Sequence, residues 1–118
     1  MDNEHRPTVA VIGGGQLARM MQESAIALGI ALRALVEAPG GSGGQAIVDA
    51  PVGDPRDLAA VLALIEGADV LTFEHEHIPA AVLEVCAPLV AIEPPAAALI
   101  HAQDKLAMRE RLTAMGVP

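Results

Sequence analysis

Apolar positions fall along this chain in short, nearly continuous runs separated by glycine- and proline-rich breaks. Thr8–Ile12 is the first run, and it leads straight into Gly13-Gly14-Gly15. Gln16–Leu28 follows with helix-favouring composition and is closed by Gly29. This order predicts a buried strand, a tight turn and a helix. Ile30–Val36 predicts a second strand, apolar almost throughout except for Arg33, and Ala46–Asp49 a short third one. Asp54 as N-cap with Pro55 in the first helical position predicts a helix from Pro55 to about Glu66. Leu58, Val61, Leu62 and Ile65 make its apolar face, and Gly67 stops it. Asp69–Phe73 reads as a strand, Ala80–Cys86 as a short helix and Leu89–Ile92 as a strand, ended by Glu93-Pro94-Pro95. Ala96–His101 predicts a helical turn or two, and Asp104–Met115 a closing helix. Near-continuous apolar strands suit a parallel sheet covered on both faces. Their alternation with helices predicts an α/β fold, a Rossmann-like doubly wound parallel sheet in a single domain over 1–118. Met1–Pro7 reads as a loose leader.

The glycine turn carries the first chemical signal. Glycines permit a sharp turn and close approach to the backbone. The N–H groups at the helix start, with the positive end of the helix dipole, attract an anion, most often a phosphate. Gly13-x-Gly15-x-x-Ala18 also fits the glycine pattern of dinucleotide-binding folds. Glu37, at the end of the second strand, then stands where a carboxylate takes a ribose hydroxyl. The alternatives are a turn that only packs a helix on a sheet and a solvated loop carboxylate. Ala38–Gly44 reads as a flexible loop at the ligand-binding edge of the sheet, either a mobile border of the site or a long connection.

Composition narrows the function. The chain has 118 residues, 53% hydrophobic, with one aromatic residue, Phe73, so the core is aliphatic. A net charge of −8 with seven basic residues, and no Trp or Tyr for stacking, argues against a nucleic-acid partner. No apolar run is long enough for a membrane span, and the charged start lacks a signal-peptide core. The lone Cys86 sits among apolar neighbours and reads as a buried, inert thiol. It is compatible with a reducing, cytoplasmic location.

The second signal is Glu74-His75-Glu76-His77, where a strand leaves the sheet. His75 and His77 at i and i+2 allow a metal site, which needs a third ligand from elsewhere, or acid–base work by His75. The plainer reading is surface histidines. Glu74 differs, because it points from the carboxyl edge of the sheet toward the glycine turn. There it can accept hydrogen bonds from an amine or hydroxyl of a ligand whose phosphate the turn holds.

Three segments occur in order: Gly13-Gly14-Gly15-Gln16-Leu17-Ala18-Arg19-Met20, Leu71–Pro79 with its Glu-His-Glu-His run, and His101-Ala102-Gln103-Asp104-Lys105-Leu106. Together they resemble the N-terminal, pre-ATP-grasp domain of the N5-carboxyaminoimidazole ribonucleotide synthetases, over Val9 to Pro118. The resemblance implies part of an ATP-grasp ligase of purine biosynthesis, with ATP and Mg2+ as cofactors. ATP phosphorylates bicarbonate to carboxyphosphate. The exocyclic amine of 5-aminoimidazole ribonucleotide then takes up the carboxyl group, and ADP and phosphate are released. It further implies that Gly15, Gln16 and Leu17 lie against the ribonucleotide, Gln16 and Leu17 near its phosphate, and that Glu74 contacts its aminoimidazole or ribose part. Lys105 is implied to reach an ATP phosphate, while Arg19 reads as a surface residue. Mg2+ ligands and catalytic groups are expected elsewhere. Gly116-Val117-Pro118 is expected to be a hinge to absent ATP-grasp domains, so these residues alone are expected to be inactive. The resemblance also implies a homodimer. Ala18, in place of the wider family's glycine, is small enough to keep the helix close to the strand. The alternatives are an NAD(P)-binding Rossmann domain of an oxidoreductase, a non-enzymatic module for a phosphorylated metabolite, and an ATP-grasp enzyme with another amine acceptor. Gln16-Leu17 and Asp104-Lys105 weigh against the first of these.

Overall fold

A computed structural model of the chain describes residues 7–75, 78–95 and 105–116, with the main chain only at 42 and 105–107. Four strands, β1 (Thr8–Ile12), β2 (Ala31–Leu35), β3 (Val70–Phe73) and β4 (Ala91–Ile92), form one sheet in the order β2-β1-β3-β4. Every pair is parallel, with Ile12 opposite Leu35 on one side and Phe73 on the other. The helices are α1 (Gln16–Leu28), α2 (Ser42–Ala46), α3 (Leu58–Ile65), α4 (Ala80–Cys86) and α5 (Lys105–Ala114). Alternation along the strands divides the core in two, as side chains of successive residues take opposite faces. Ala10, Ile12, Leu35 and Leu71 pack with Val61, Leu64 and Ile65 of α3 and Val82, Leu83 and Cys86 of α4. Val11, Leu32, Ala34 and Val36 pack with Ala18 and Ala25 of α1 and with Ile47. The expected doubly wound α/β arrangement is the one observed. Cys86 is fully buried, and burial pushes its thiol pKa up, in keeping with an inert group.

Three local expectations are corrected. The glycine loop is not a free connection: Ser42–Ala46 is a short helix, tied to the first turn by Gly43 N–H donating to Gly14 O at 2.7 Å. The Ala46–Asp49 strand does not form. Asp49 and Val52 instead make isolated bridges to Arg33 and Val36 along the β2 edge. Pro51 between them has no N–H with which to continue a ladder. The third helix starts at Leu58, not Pro55. Asp57 is its N-cap, accepting from Ala59 N–H at 3.1 Å, while Asp54 closes a turn onto Arg56 N–H at 2.8 Å. Aspartate serves both purposes, and the nearer acid took the cap. The predicted turn at 96–101 lies outside the described residues.

Arg33, the one charge in β2, holds this edge together. It shares the α3 face with Leu35. Its Nη1 donates to Leu64 O at 2.7 Å and Glu66 O at 2.8 Å, and its Nε to Asp49 Oδ2 at 2.9 Å. The two carbonyls belong to the end of α3, where helix acceptors lack partners and a cation is favoured. The arginine side chain is 23% exposed and the Asp49 side chain 58%. Replacing Arg33 by Ala should therefore lower stability in urea by about 1.5–3 kcal/mol, the range for hydrogen bonds to a charged group. Asp49→Asn should lower it by less than about 1 kcal/mol, as for an exposed ion pair. Equal losses in the two variants would show that the contact with α3 is not what matters.

Candidate functional site

All four strands run the same way, so the turns after β1, β2 and β3 meet at one edge of the sheet. The chain leaves β1 for β2 on one side and later enters β3 on the other. That reversal is the topological switch point at which open sheets leave a crevice. A cavity of about 300 Å³ sits there, lined by Gly13, Gly14, Gly15, Val36, Glu37, Ala38, Gly41, Glu74 and His75. A neighbouring cavity of about 520 Å³ shares Glu37 and His75 and continues over Gly53, Asp54, Pro55 and Arg56.

Glu74 is fixed first by its backbone, whose N–H donates to Ile12 O at 3.1 Å and so prolongs the ladder one residue past β3. Its side chain crosses to the glycine turn, as expected from the sequence. What it meets there is the helix start itself. Gly15 N–H donates to Oε1 at 2.6 Å and Ala18 N–H to Oε2 at 2.9 Å. α1 has Gly15 as N-cap, with no side-chain capping bond of its own. Glu74 thus supplies the cap from 59 residues away. These are charge-assisted bonds aligned with the helix dipole. At these two N–H groups the anion drawn to the turn is a carboxylate of this chain.

The glycines are needed for the same reason. Gly13 has φ +123°, and a Cβ there would run into the Glu74 side chain. A Cβ on Gly15 would stand 2.8 Å from Glu74 Oε1, and one on Gly14 would collide with Val36. The close approach read from the sequence is real, and the groups that approach are Glu74 and Val36.

The other predicted residues fall as follows. Gln16 and Leu17 open α1 with exposed side chains, Leu17 at 51%, and line neither cavity. Glu37 and His75 border both cavities. Arg19 turns along the surface to α2, its Nη1 donating to Gln45 Oε1 at 3.0 Å. Glu76, His77 and Asp104 lie outside the described residues, as does the Lys105 side chain. Among the described residues no three His, Cys, Asp or Glu side chains come together to hold a metal ion. None of their helices is long and apolar enough to cross a membrane.

Sequence reading missed Arg56 as part of this border. Its Nη2 meets Asp54 Oδ2 at 2.8 Å and its Nε meets Asp54 Oδ1 at 3.1 Å. These bonds, and the Arg56 N–H, hold the Asp54 carboxyl at about 2, below its usual 3.8. The arginine is raised in turn, chiefly by Asp54 and slightly by Glu37. The only local signal was an acid two residues before a base, which is too common to single out.

Comparison with known proteins places residues 7–103 in the family described as the ribonucleotide synthetase preATP-grasp domain. The N5-carboxyaminoimidazole ribonucleotide synthase of Mycobacterium tuberculosis is 51% identical over 112 residues, covering 94% of this chain and 26% of the relative. The enzyme of that name from Corynebacterium ammoniagenes is 47% identical, with 95% and 27% covered. Among solved structures, the Thermus thermophilus synthetase superposes with a TM-score of 0.87 at 34% identity, covering 93% of this chain and 30% of that one. The Aspergillus clavatus synthase, solved with ADP and 5-aminoimidazole ribonucleotide, gives 0.85 at 36%, with 96% and 30% covered. The chain thus spans about a quarter of the length of the curated relatives it matches. These matches do not support the oxidoreductase alternative.

The Asp54–Arg56 fork gives a pH signature. A carboxyl depressed in the folded state favours folding above the unfolded pKa of 3.8 and loses that contribution as pH falls through about 2. The Asp54 carboxyl carbon followed by NMR should titrate near 2, and in Arg56→Gln, which keeps the backbone N–H bond, higher, between that value and 3.8. An unchanged midpoint in the variant would remove the arginine as the cause.

Proposed function

The chain belongs to the ribonucleotide synthetase preATP-grasp family, and from that premise we propose that it holds the acceptor substrate of an ATP-dependent ligase. The reaction is the carboxylation of 5-aminoimidazole ribonucleotide with bicarbonate in purine biosynthesis. The observation that carries this reading is Glu74 beside the glycine turn, on the cavity at the switch point. A carboxylate offers about four acceptor positions, and the turn uses two of them. The rest remain for a hydroxyl or amine of a ligand in the cavity. Gly15 gives the ligand a wall without a side chain, and Gln16 and Leu17, exposed on α1 outside the cavity lining, are proposed to touch only a part of the ligand that projects beyond it.

In this reading the chain binds and orients the acceptor. ATP, bound with Mg2+, supplies the phosphoryl group that activates bicarbonate. The described residues bring together no set of metal ligands, so no step is assigned to Mg2+ on them. Lys105, at the start of α5, is proposed to reach ATP phosphate. The whole ligase is taken to be a cytoplasmic homodimer.

The test is an NMR titration of the chain with 5-aminoimidazole ribonucleotide, with NAD and ribose 5-phosphate as comparators. Saturable shifts at Gly13–Leu17 and Glu74 are expected with the aminoimidazole nucleotide and not with NAD. Selective response to NAD would overturn the assignment.

A further inference from the structure

We propose that Glu74 determines which end of a ligand the glycine turn accepts. Its carboxylate makes the turn take neutral or cationic hydrogen-bond donors and turn phosphate away. This concerns the same cavity as the acceptor assignment, but it rests on the geometry of the turn and not on the identity of the acceptor.

The argument starts from what a glycine turn offers in the absence of Glu74. A strand, a turn with positive φ at Gly13 and a helix start make a cradle of N–H groups under a positive dipole end, which suits phosphate. Here Gly15 and Ala18 N–H both already donate to a carboxylate. A phosphate at that place must break two charge-assisted bonds and then sit beside the displaced anion. Like charges at such short range repel strongly where water is partly excluded. The Glu74 backbone is held to Ile12 by the ladder, and its side chain lies against the turn, where a Cβ on Gly13 would meet its Cγ and one on Gly15 its Oε1. Gly13, Gly15 and the acid thus fit one another, while Gly14 makes room for Val36.

The lining of the cavity agrees in sign. Its charged members are Glu37 and Glu74, with His75 beside them. Arg56, the cation among the described residues lining the neighbouring cavity, is forked onto Asp54. A ligand bearing both a phosphate and hydroxyl or amine donors therefore enters with its donors toward Glu74 and its phosphate away from the turn. The same carboxylate fills the place in which a dinucleotide domain seats its pyrophosphate.

The test uses the full chain and inorganic phosphate, with chloride at matched ionic strength as the blank, and reads the Gly15 and Ala18 amides by NMR. In the unmodified chain neither amide should show a saturable shift. In Glu74→Gln both should shift saturably, with affinity at least about tenfold above any in the parent. Glu74→Asp keeps the charge but shortens the reach, and should fall between the two. Saturable phosphate shifts at these amides in the unmodified chain would overturn the proposal. So would a folded E74Q chain that stays silent. If E74Q loses its dispersed spectrum, the unmodified chain and E74D decide: a silent parent with a responsive E74D supports the proposal, and equal responses overturn it. Failure to bind 5-aminoimidazole ribonucleotide would count against the acceptor assignment alone and leave this result untouched.

Discussion

The carboxylate of Glu74 on the first N–H groups of α1 is the constraint around which this site is built. It joins the end of β3 to the start of α1 across the switch point, with bonds of 2.6 and 2.9 Å. It explains why α1 needs no serine, threonine or aspartate at its N-cap. It explains why Gly13 and Gly15 lack side chains, since any Cβ would meet Glu74. It also sets the polarity of the cavity, which is walled by an acid and backbone in place of a bare positive helix end.

Around that contact the sheet is held from both faces. The α1 face carries Val11, Ala34 and Val36 against Ala18 and Ala25, with small residues that let the helix approach closely. The α3 and α4 face is bulkier, with Ile12, Leu71, Leu64 and Leu83 fully buried. Val36 has two tasks: it packs in the core, and it closes on Gly14. Gly14 O then receives the Gly43 N–H, so the second turn is fastened to the first. At the far edge Arg33 does similar work for α3, joining its final carbonyls to β2 and Asp49. The border of the cavity is thus assembled from loops that are each tied to a strand end.

This arrangement separates two uses of one glycine pattern. In a dinucleotide domain the turn faces a phosphate, and an acid after β2 faces a ribose. Here an acid after β3 faces the turn, and Glu37 after β2 only borders the cavity. The family match over 7–103 fits the second use. Spacing of the glycines alone is blind to the difference, because the deciding residue stands 59 positions downstream.

The strand, turn and helix from Thr8 to Leu28, the helix Ala80–Cys86 and the stop at Gly29 were legible in the chain because each is set by neighbours within a turn or two. Apolar runs, β-branching and glycines act locally, and the alternation of elements then leaves few ways to cover a parallel sheet. The direction of Glu74 was legible too, from its place at a strand end. Three things were decided only in the folded structure: that Glu74 lands on the N–H groups of Gly15 and Ala18, that Asp57 and not Asp54 caps α3, and that 49–52 lies along β2 without becoming a strand. Each depends on which of several chemically equivalent groups comes within hydrogen-bond distance, and that distance exists only after the strands have paired.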